Sequence, residues 1–265
     1  MSIKINLIMK YNSAIIAMFK NESMVIKEWI DHYKWQGIGH IYLLNNDSSD
    51  DFLPILQPYI NDGYVTLYNF PERHRQEKYY NIVFDEVRND MEWVITCDID
   101  EYWFGTKFIL NEYLLRLDKT FNNILSDWEM FGSCGYDKQP SEIRKSFIMK
   151  RIKTGLSIGG YWKVISRASE VGLLKTHNHI HKNNINNTDN TIESWVSKHN
   201  DIENVRLFHY QVMSKEYWET VKMSRGDAAW DRWDKIRDWR YFKERDFNEV
   251  FDVSLVEILV KGYKN

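Results

Sequence analysis

Cysteine and proline are scarce in this chain, and long apolar runs are missing. Two cysteines in 265 residues, Cys97 and Cys134, exclude a disulfide-built scaffold and fit a reducing compartment. Four prolines and 12 glycines exclude a collagen-like or low-complexity chain. No stretch approaches the ~20 apolar residues that a membrane span needs. Residues 1–19 are interrupted by Lys4, Asn6, Lys10, Tyr11 and Asn12, so no secretory leader is expected there. The expected location is therefore cytoplasmic, or that of a fragment separated from an anchor. A surplus of one charge sign is also missing. The formal net charge of -3 argues against a general nucleic-acid binder, which needs a strongly basic face.

What the chain has in quantity is aromatic side chains: 11 Trp, 16 Tyr and 13 Phe. Trp and Tyr combine an apolar body with a polar handle, and such rings serve where proteins stack on sugars or bases. The length fits one large α/β domain, with a core that needs no disulfide or metal staple.

The first half alternates strand and helix signals. Ala14–Phe19 is a short apolar run of buried-strand type. Ser23 is a candidate N-cap for a helix with Val25, Ile26, Trp29, Ile30 and Tyr33 on one face, ending near Gly37. His40–Leu44 reads as a second strand, followed by the turn-forming loop 45–50. A helix over about 52–59, interrupted at Pro54 and Pro58, a strand at Tyr64–Tyr68, a helix over about 76–89 and a strand at Trp93–Cys97 complete the pattern. This order implies a largely parallel sheet covered on both faces, whose ligands gather beyond the carboxyl ends of the strands. The polar segments 20–23, 45–50 and 98–101 all follow strand ends.

The second half is less regular. A short helix is expected over Leu110–Leu117, strands with loops over 146–166, an exposed loop over 177–194 and a helix from a Ser214 cap to Met223 or Arg225. An aromatic and charged helical region is expected from about Ala229 to Lys261. Its aromatic face would dock on a membrane interface or on a partner subunit in a homo-oligomer. The favoured expectation is that it packs on the preceding domain.

The strongest chemical signal is Asp98-Ile99-Asp100-Glu101 directly after a buried strand. Carboxylates two residues apart past a strand end can both reach a hard cation, leaving positions open for phosphate oxygens. The plainer alternative is an acidic turn at a helix N-terminus.

With these segments in that order, the chain resembles a GT-A-fold glycosyltransferase of the family 2 and family 92-like branch. The resemblance rests on 17–22, 28–33, 42–50, 93–102, 128–135, 163–167 and His209-Tyr210 followed by Ser214, Lys222, Arg225 and Gly226. It implies a mixed, mostly parallel sheet flanked by helices, with a glycosyltransferase domain over 1–226 and a helical extension over 227–265. It implies transfer of a sugar from a UDP-sugar to a hydroxyl of a glycan, a glycoprotein or a lipid-linked acceptor, with inversion. By the same resemblance, Lys20, Asn21 and Glu22 lie on the first nucleotide-binding turn, and Asn45 and Asn46 contact uridine. Gln76 and Asn81 face the donor. Asp98, Asp100 and His209 form the site for Mn²⁺ or Mg²⁺, with Asp100 the direct ligand and Asp98 nearer the ribose. Lys222 and Arg225, within one turn of each other, hold the diphosphate or an acidic acceptor.

An inverting transfer needs a base for the acceptor hydroxyl. Glu129 and Asp137 are the candidates, with Asp127 a third. Trp128 and Phe131 are either a sugar platform or core. His177, His179 and His181 alternate as on one strand face, a polar strand edge being preferred over a zinc site. Cys97 and Cys134 read as two inert thiols. Two rival functions stay open: a nucleotidyltransferase making nucleotide sugars, which normally carries a Gly-rich first loop, and a non-catalytic nucleotide- or sugar-binding module.

Overall fold

The computed structural model describes residues 9–153, 162–182, 203–228 and 236–263. Its centre is an eight-stranded mixed sheet, and the first strand sets its character. In β1 (Tyr11–Phe19), Ser13 to Phe19 are buried whichever face they point to. A continuous apolar run of this kind suits a strand covered on both sides. Helix α1 (Ile26–Trp35), β2 (His40–Asn45), α2 (Leu53–Asn61), β3 (Val65–Asn69), α3 (Gln76–Val87) and β4 (Met91–Thr96) follow. β1 pairs in parallel with β2 and with β4, and β2 with β3. α1 closes at Gln36, and Gly37 follows with φ of 75°, the left-handed C′ position expected of it.

The remaining strands continue beyond β4. They are β5 (Glu101–Gly105), β6 (Asn123–Met130), β7 (Met149–Lys150), β8 (Trp162–Arg167), β9 (Val171–Leu173), β10 (Ile180–His181) and β11 (Val205–His209). Helices α4 (Leu110–Arg116) and α5 (Ile143–Ser146) lie between them. The sheet order is β3-β2-β1-β4-β8-β6-β11-β5. β8 is antiparallel to both β4 and β6, β11 is parallel to β6, and β5 is antiparallel to β11. Six of the eight strands therefore run the same way, and their carboxyl ends share one edge. Because β5 and β8 run in reverse, their first residues, Glu101, Trp162 and Lys163, reach that same edge. One core face is built on Trp29, Tyr33 and Trp103, the other on Tyr80, Val83 and Phe84.

Several local expectations are corrected. Ser23 does not cap α1; the Val25 and Ile26 N–H groups donate to the Glu22 carbonyl instead. α2 runs through Pro58 to Asn61. The tail is not one helical stretch. Among its described residues, a helix at Trp239–Arg245 capped by Asp238 leads to strand β12 (Val250–Phe251), which pairs with β7, and then to a helix at Ser254–Lys261. A Cβ on Gly132 would meet the Phe247 carbonyl oxygen at 2.4 Å, so the close approach of the tail requires a glycine there. The Asn248 side chain accepts from the Cys134 N–H (2.9 Å). Leu255 enters the main core, and Gln36 donates to the Tyr263 hydroxyl (2.8 Å). The favoured packing of the aromatic tail holds for Tyr241 and Phe242, which stack on and abut Trp218; Trp230, Trp233 and the Asn-rich 183–194 lie outside the described residues.

One charged knot fastens the tail to the sheet. Glu129 and Asp252 share the cations Lys150 and Arg206, with Asp252 2.6 Å from each. Burial alone would raise the Asp252 pKa, but Lys150, Ser254 and Arg206 together hold it well below the usual carboxylate range. A carboxylate with a depressed folded-state pKa stabilises fully above its unfolded value near 4 and loses that contribution as pH falls towards the folded value. Asp252→Asn should therefore cost about 2 kcal/mol at pH 7 and flatten the fall of stability below pH 4. Urea denaturation from pH 7 to pH 3 checks this; curves running parallel to those of the parent chain would exclude the role.

Candidate active site

The shared carboxyl edge opens into a cavity of about 480 Å³, within the usual range for a small-molecule site. Lys20 and Glu22 reach it from the end of β1, Asn46 from β2, Gln76 and Glu77 from α3, and Asp98 and Asp100 from β4. Trp128 of β6, His177 beyond β9 and His209 at the end of β11 close the far side. Lys222, Arg225, Arg237 and Arg245 supply cations from the C-terminal third.

The turn after β4 is fixed from both sides. The Glu101 N–H donates to the Asp98 carbonyl (3.0 Å), and the Asp98 N–H donates to the Glu101 carboxylate (2.9 Å). The Tyr210 N–H donates to the Asp100 carbonyl (2.8 Å), which ties the turn to the end of β11. Beneath it lies Lys163, fully buried, 3.0 Å from Asp98 Oδ2 and 3.2 Å from Glu101 Oε2. Burial would raise the Asp98 pKa, but the Lys163 ammonium outweighs it and holds the carboxyl below its ordinary value. Glu101 lacks such dominance: burial pushes it up to about 7 against the pull of Lys163. The other Asp98 oxygen accepts from Gln76 (3.2 Å).

Asp100 is 4% exposed. Its Oδ2 accepts from the Lys222 ammonium and lies 3.4 Å from His209 Nε2. The Lys222 ammonium first, with the His209 hydrogen bond, holds Asp100 well below the carboxylate range despite its burial. Burial lowers the Lys222 pKa, with Asp100 opposing. Lys222 closes a π-helical segment, Trp218–Lys222, set between the short α-helical pieces Lys215–Tyr217 and Met223–Arg225. Such wide turns are uncommon and concentrate at functional sites. Ser214 caps this segment, as expected, by accepting from the Tyr217 N–H (3.1 Å). One turn on, Arg225 pairs with Glu22, whose second oxygen accepts from the Tyr217 hydroxyl (2.6 Å).

The model of glycosyltransferase family 92 matches residues 15–251. The chain belongs to glycosyltransferase family 92. A family 92 protein of Ricinus communis is 23% identical over 145 residues, covering 50% of this chain and 25% of the relative. One of Oryza sativa subsp. japonica is 27% identical over 93 residues, covering 35% and 16%. The chain thus matches a quarter or less of the length of these relatives. Among solved structures, S. aureus TarS 1-349 in complex with UDP-GlcNAc is similar with a TM-score of 0.41 and 15% identity, covering 60% of this chain and 46% of that one.

For this family 92 chain, the edge cavity gathers most of the residues singled out from sequence: Lys20, Glu22, Asn46, Gln76, Asp98, Asp100, His209, Lys222 and Arg225. It leaves out three. Asn21, at φ of 55°, accepts from the Ser49 N–H through its side-chain Oδ1 (2.7 Å). Asn45 donates to Asn69 (2.9 Å) and accepts from the Ser48 N–H (2.9 Å), so it shapes the loop. Asn81 is consumed by the Leu174 backbone, donating to its carbonyl and accepting from its N–H.

The base candidates are also corrected. Glu129 is buried in the knot with Lys150 and Arg206, and Asp137 is an exposed partner of Lys215. Asp127 is fully buried against Lys153. None of the three lines the cavity. Of the two aromatic candidates, Trp128 lines the cavity and Phe131 is core. Of the three histidines, His177 lines it while His179 and His181 are buried. Both cysteines are free thiols, Cys97 beside Tyr33 and Cys134 accepting from the Ile148 and Met149 N–H groups. Lys163 lies in the matched segment 163–167 but was given no role there, and Arg237 and Arg245 gave no motif.

The donor chemistry suits a divalent ion at one end of the cavity. Asp100 offers a carboxylate and His209 an imidazole at neighbouring positions, and His209 Nδ1 is buried without a hydrogen-bond partner among the described residues. No three His, Cys, Asp or Glu side chains among the described residues would hold an ion by themselves. The missing ligands would come from substrate oxygens, as is usual where one or two protein groups bind Mg²⁺ alongside a phosphate. No helix among the described residues is long and apolar enough to cross a membrane.

Proposed function

We propose that this chain is a metal-dependent glycosyltransferase that moves a sugar from a UDP-sugar to a hydroxyl of a glycan, glycoprotein or lipid-linked acceptor, with inversion. Family membership supports the class of reaction. The observation that carries the reading is the convergence of Asp100, His209 and Lys222 at the carboxyl edge of the sheet.

Each group has a task that follows from its bonding. Asn46 donates its amide N–H groups to the Phe70 and Glu72 carbonyls (2.8 and 2.9 Å), which leaves its oxygen to accept the uracil N3–H. Asp98, held by Gln76 and Lys163, presents a fixed carboxylate towards the ribose hydroxyls. Asp100 and His209 would hold Mn²⁺ or Mg²⁺. When bound, the ion neutralises charge on the departing diphosphate. Lys222 and Arg225 add fixed positive charge where that negative charge grows. Such charge is most effective when set in place before reaction and shielded from water. Trp128 offers a ring face to the transferred sugar.

Thermal unfolding with ligands tests the reading. UDP with Mn²⁺ at a hundredfold excess over Kd should stabilise by about 2.7 kcal/mol, raising Tm by roughly 5–10 °C. UDP with chelator should give less, and nucleoside triphosphates should not replace UDP. Equal stabilisation with and without metal would remove the metal from the proposal; none with UDP would remove the donor.

A further inference from the structure

We propose that the His177 imidazole is the general base that takes the proton of the acceptor hydroxyl. The inference rests on the inverting-transfer reading above and supplies the group that reading lacks.

The cavity carboxylates are committed elsewhere. Glu22 pairs with Arg225, Glu77 with Lys175, Asp98 with Lys163, Asp100 with Lys222 and Asp227 with Arg237. A carboxylate held by a neighbouring cation is a weak proton acceptor. His177 is differently placed. Its Nδ1 lies 3.2 Å from the Trp162 carbonyl oxygen. A carbonyl oxygen only accepts, so Nδ1 carries the hydrogen and Nε2 carries the lone pair. The ring packs edge-on against Trp128 at 5.2 Å, and Trp128 packs against His209 at 4.4 Å. Trp128 thus touches both the imidazole and the Asp100–His209 end. Inversion requires the base to meet the acceptor hydroxyl on the face of the anomeric carbon opposite the departing diphosphate, and His177 lines the same cavity as Asp100 and His209. The charged and titratable groups facing the ring are Lys163, Asp98 and His209. Burial first, then the Lys163 ammonium, lowers the His177 pKa from its ordinary value, which keeps the ring neutral near pH 7.

In the step, Nε2 takes the hydroxyl proton as the acceptor oxygen bonds to the anomeric carbon. The bond from that carbon to the diphosphate oxygen breaks, and its electron pair leaves on UDP. The imidazolium then returns its proton to water.

His177→Asn is the informative variant. The Asn amide N–H can still donate to the Trp162 carbonyl, but no lone pair remains to accept the proton. Transfer kcat should fall about a hundredfold, with UDP affinity by calorimetry and Tm unchanged. In His177→Ala, added imidazole should restore part of the rate. Should His177→Asn not fold, His177→Gln is read in its place with the same expectation. A rate within threefold of the parent chain, with an inverted product by NMR, would overturn the base assignment and leave the transferase reading standing. A product of retained configuration would overturn both the base and the inverting reading. No turnover of any UDP-sugar by the parent chain would overturn the transferase reading and the base with it.

Discussion

Asp100→Asn should lower transfer kcat by about a thousandfold. The carboxylate faces both His209 and Lys222, and its removal withdraws the counter-charge of the ammonium and, on the proposed reading, the anchor for the ion. Loss of preorganised charge at a departing diphosphate is worth roughly 4 kcal/mol, and each 1.36 kcal/mol is a factor of ten in rate. The variant also leaves Lys222, 3% exposed, without its counter-charge. Its ammonium, already lowered by burial, would then lose its proton more readily. A second variant separates the two effects. Asp100→Asn combined with Lys222→Met should regain stability while remaining inactive, because the buried charge is gone but the ligand is still missing. Steady-state kinetics and Tm of both chains check this. Turnover of the single variant within tenfold of the parent would show that Asp100 is not at the reacting centre.

Arg225→Met should destabilise the fold by about 3–5 kcal/mol, the usual cost of leaving one partner of a buried ion pair alone. Glu22 is 1% exposed, and its remaining partner would be the Tyr217 hydroxyl. For a domain of this length the loss is on the order of 10 °C in Tm. Replacing both partners, Glu22→Gln with Arg225→Met, should recover much of it, because no uncompensated charge is then buried. A double-mutant cycle gives the coupling. A Tm change below about 2 °C in the single variant would mean that the pair is solvated. If Arg225 also meets the diphosphate, the double variant will regain stability without regaining UDP affinity.

The parallel half of the sheet was legible in the sequence because its strands are apolar on both faces. Ala14–Phe19, His40–Leu44 and Trp93–Cys97 needed no knowledge of distant partners. β6 hid for the opposite reason. Asn-Ile-Leu-Ser-Asp-Trp-Glu-Met mixes charge into a buried strand, and it is tolerable only because Lys153, Lys150 and Arg206 arrive from elsewhere in the chain. β5 begins at Glu101 directly on the acidic turn, so its first residue read as loop. The acidic turn and the late His209 were readable as a pattern, since the strand that precedes the turn fixes its address. The base was not, because position in sequence does not show which carboxylates are already neutralised. Glu129 reads as a candidate base until Lys150 and Arg206 are seen to hold it. His177 reads as one of three alternating histidines until its Nδ1 is seen to be spoken for by Trp162.

The wide turn at Trp218–Lys222 sets a limit on how this segment can vary. An extra residue accommodated in one loop of the coil shifts the angular position of everything after it by about 100°. Lys222, the last residue of that wide turn, is buried against Asp100. A relative lacking one residue between the Ser214 cap and this lysine would close into an ordinary spiral and swing the amine out towards solvent. Gap placement in this short stretch would then be as informative about chemistry as the identity of any residue in it.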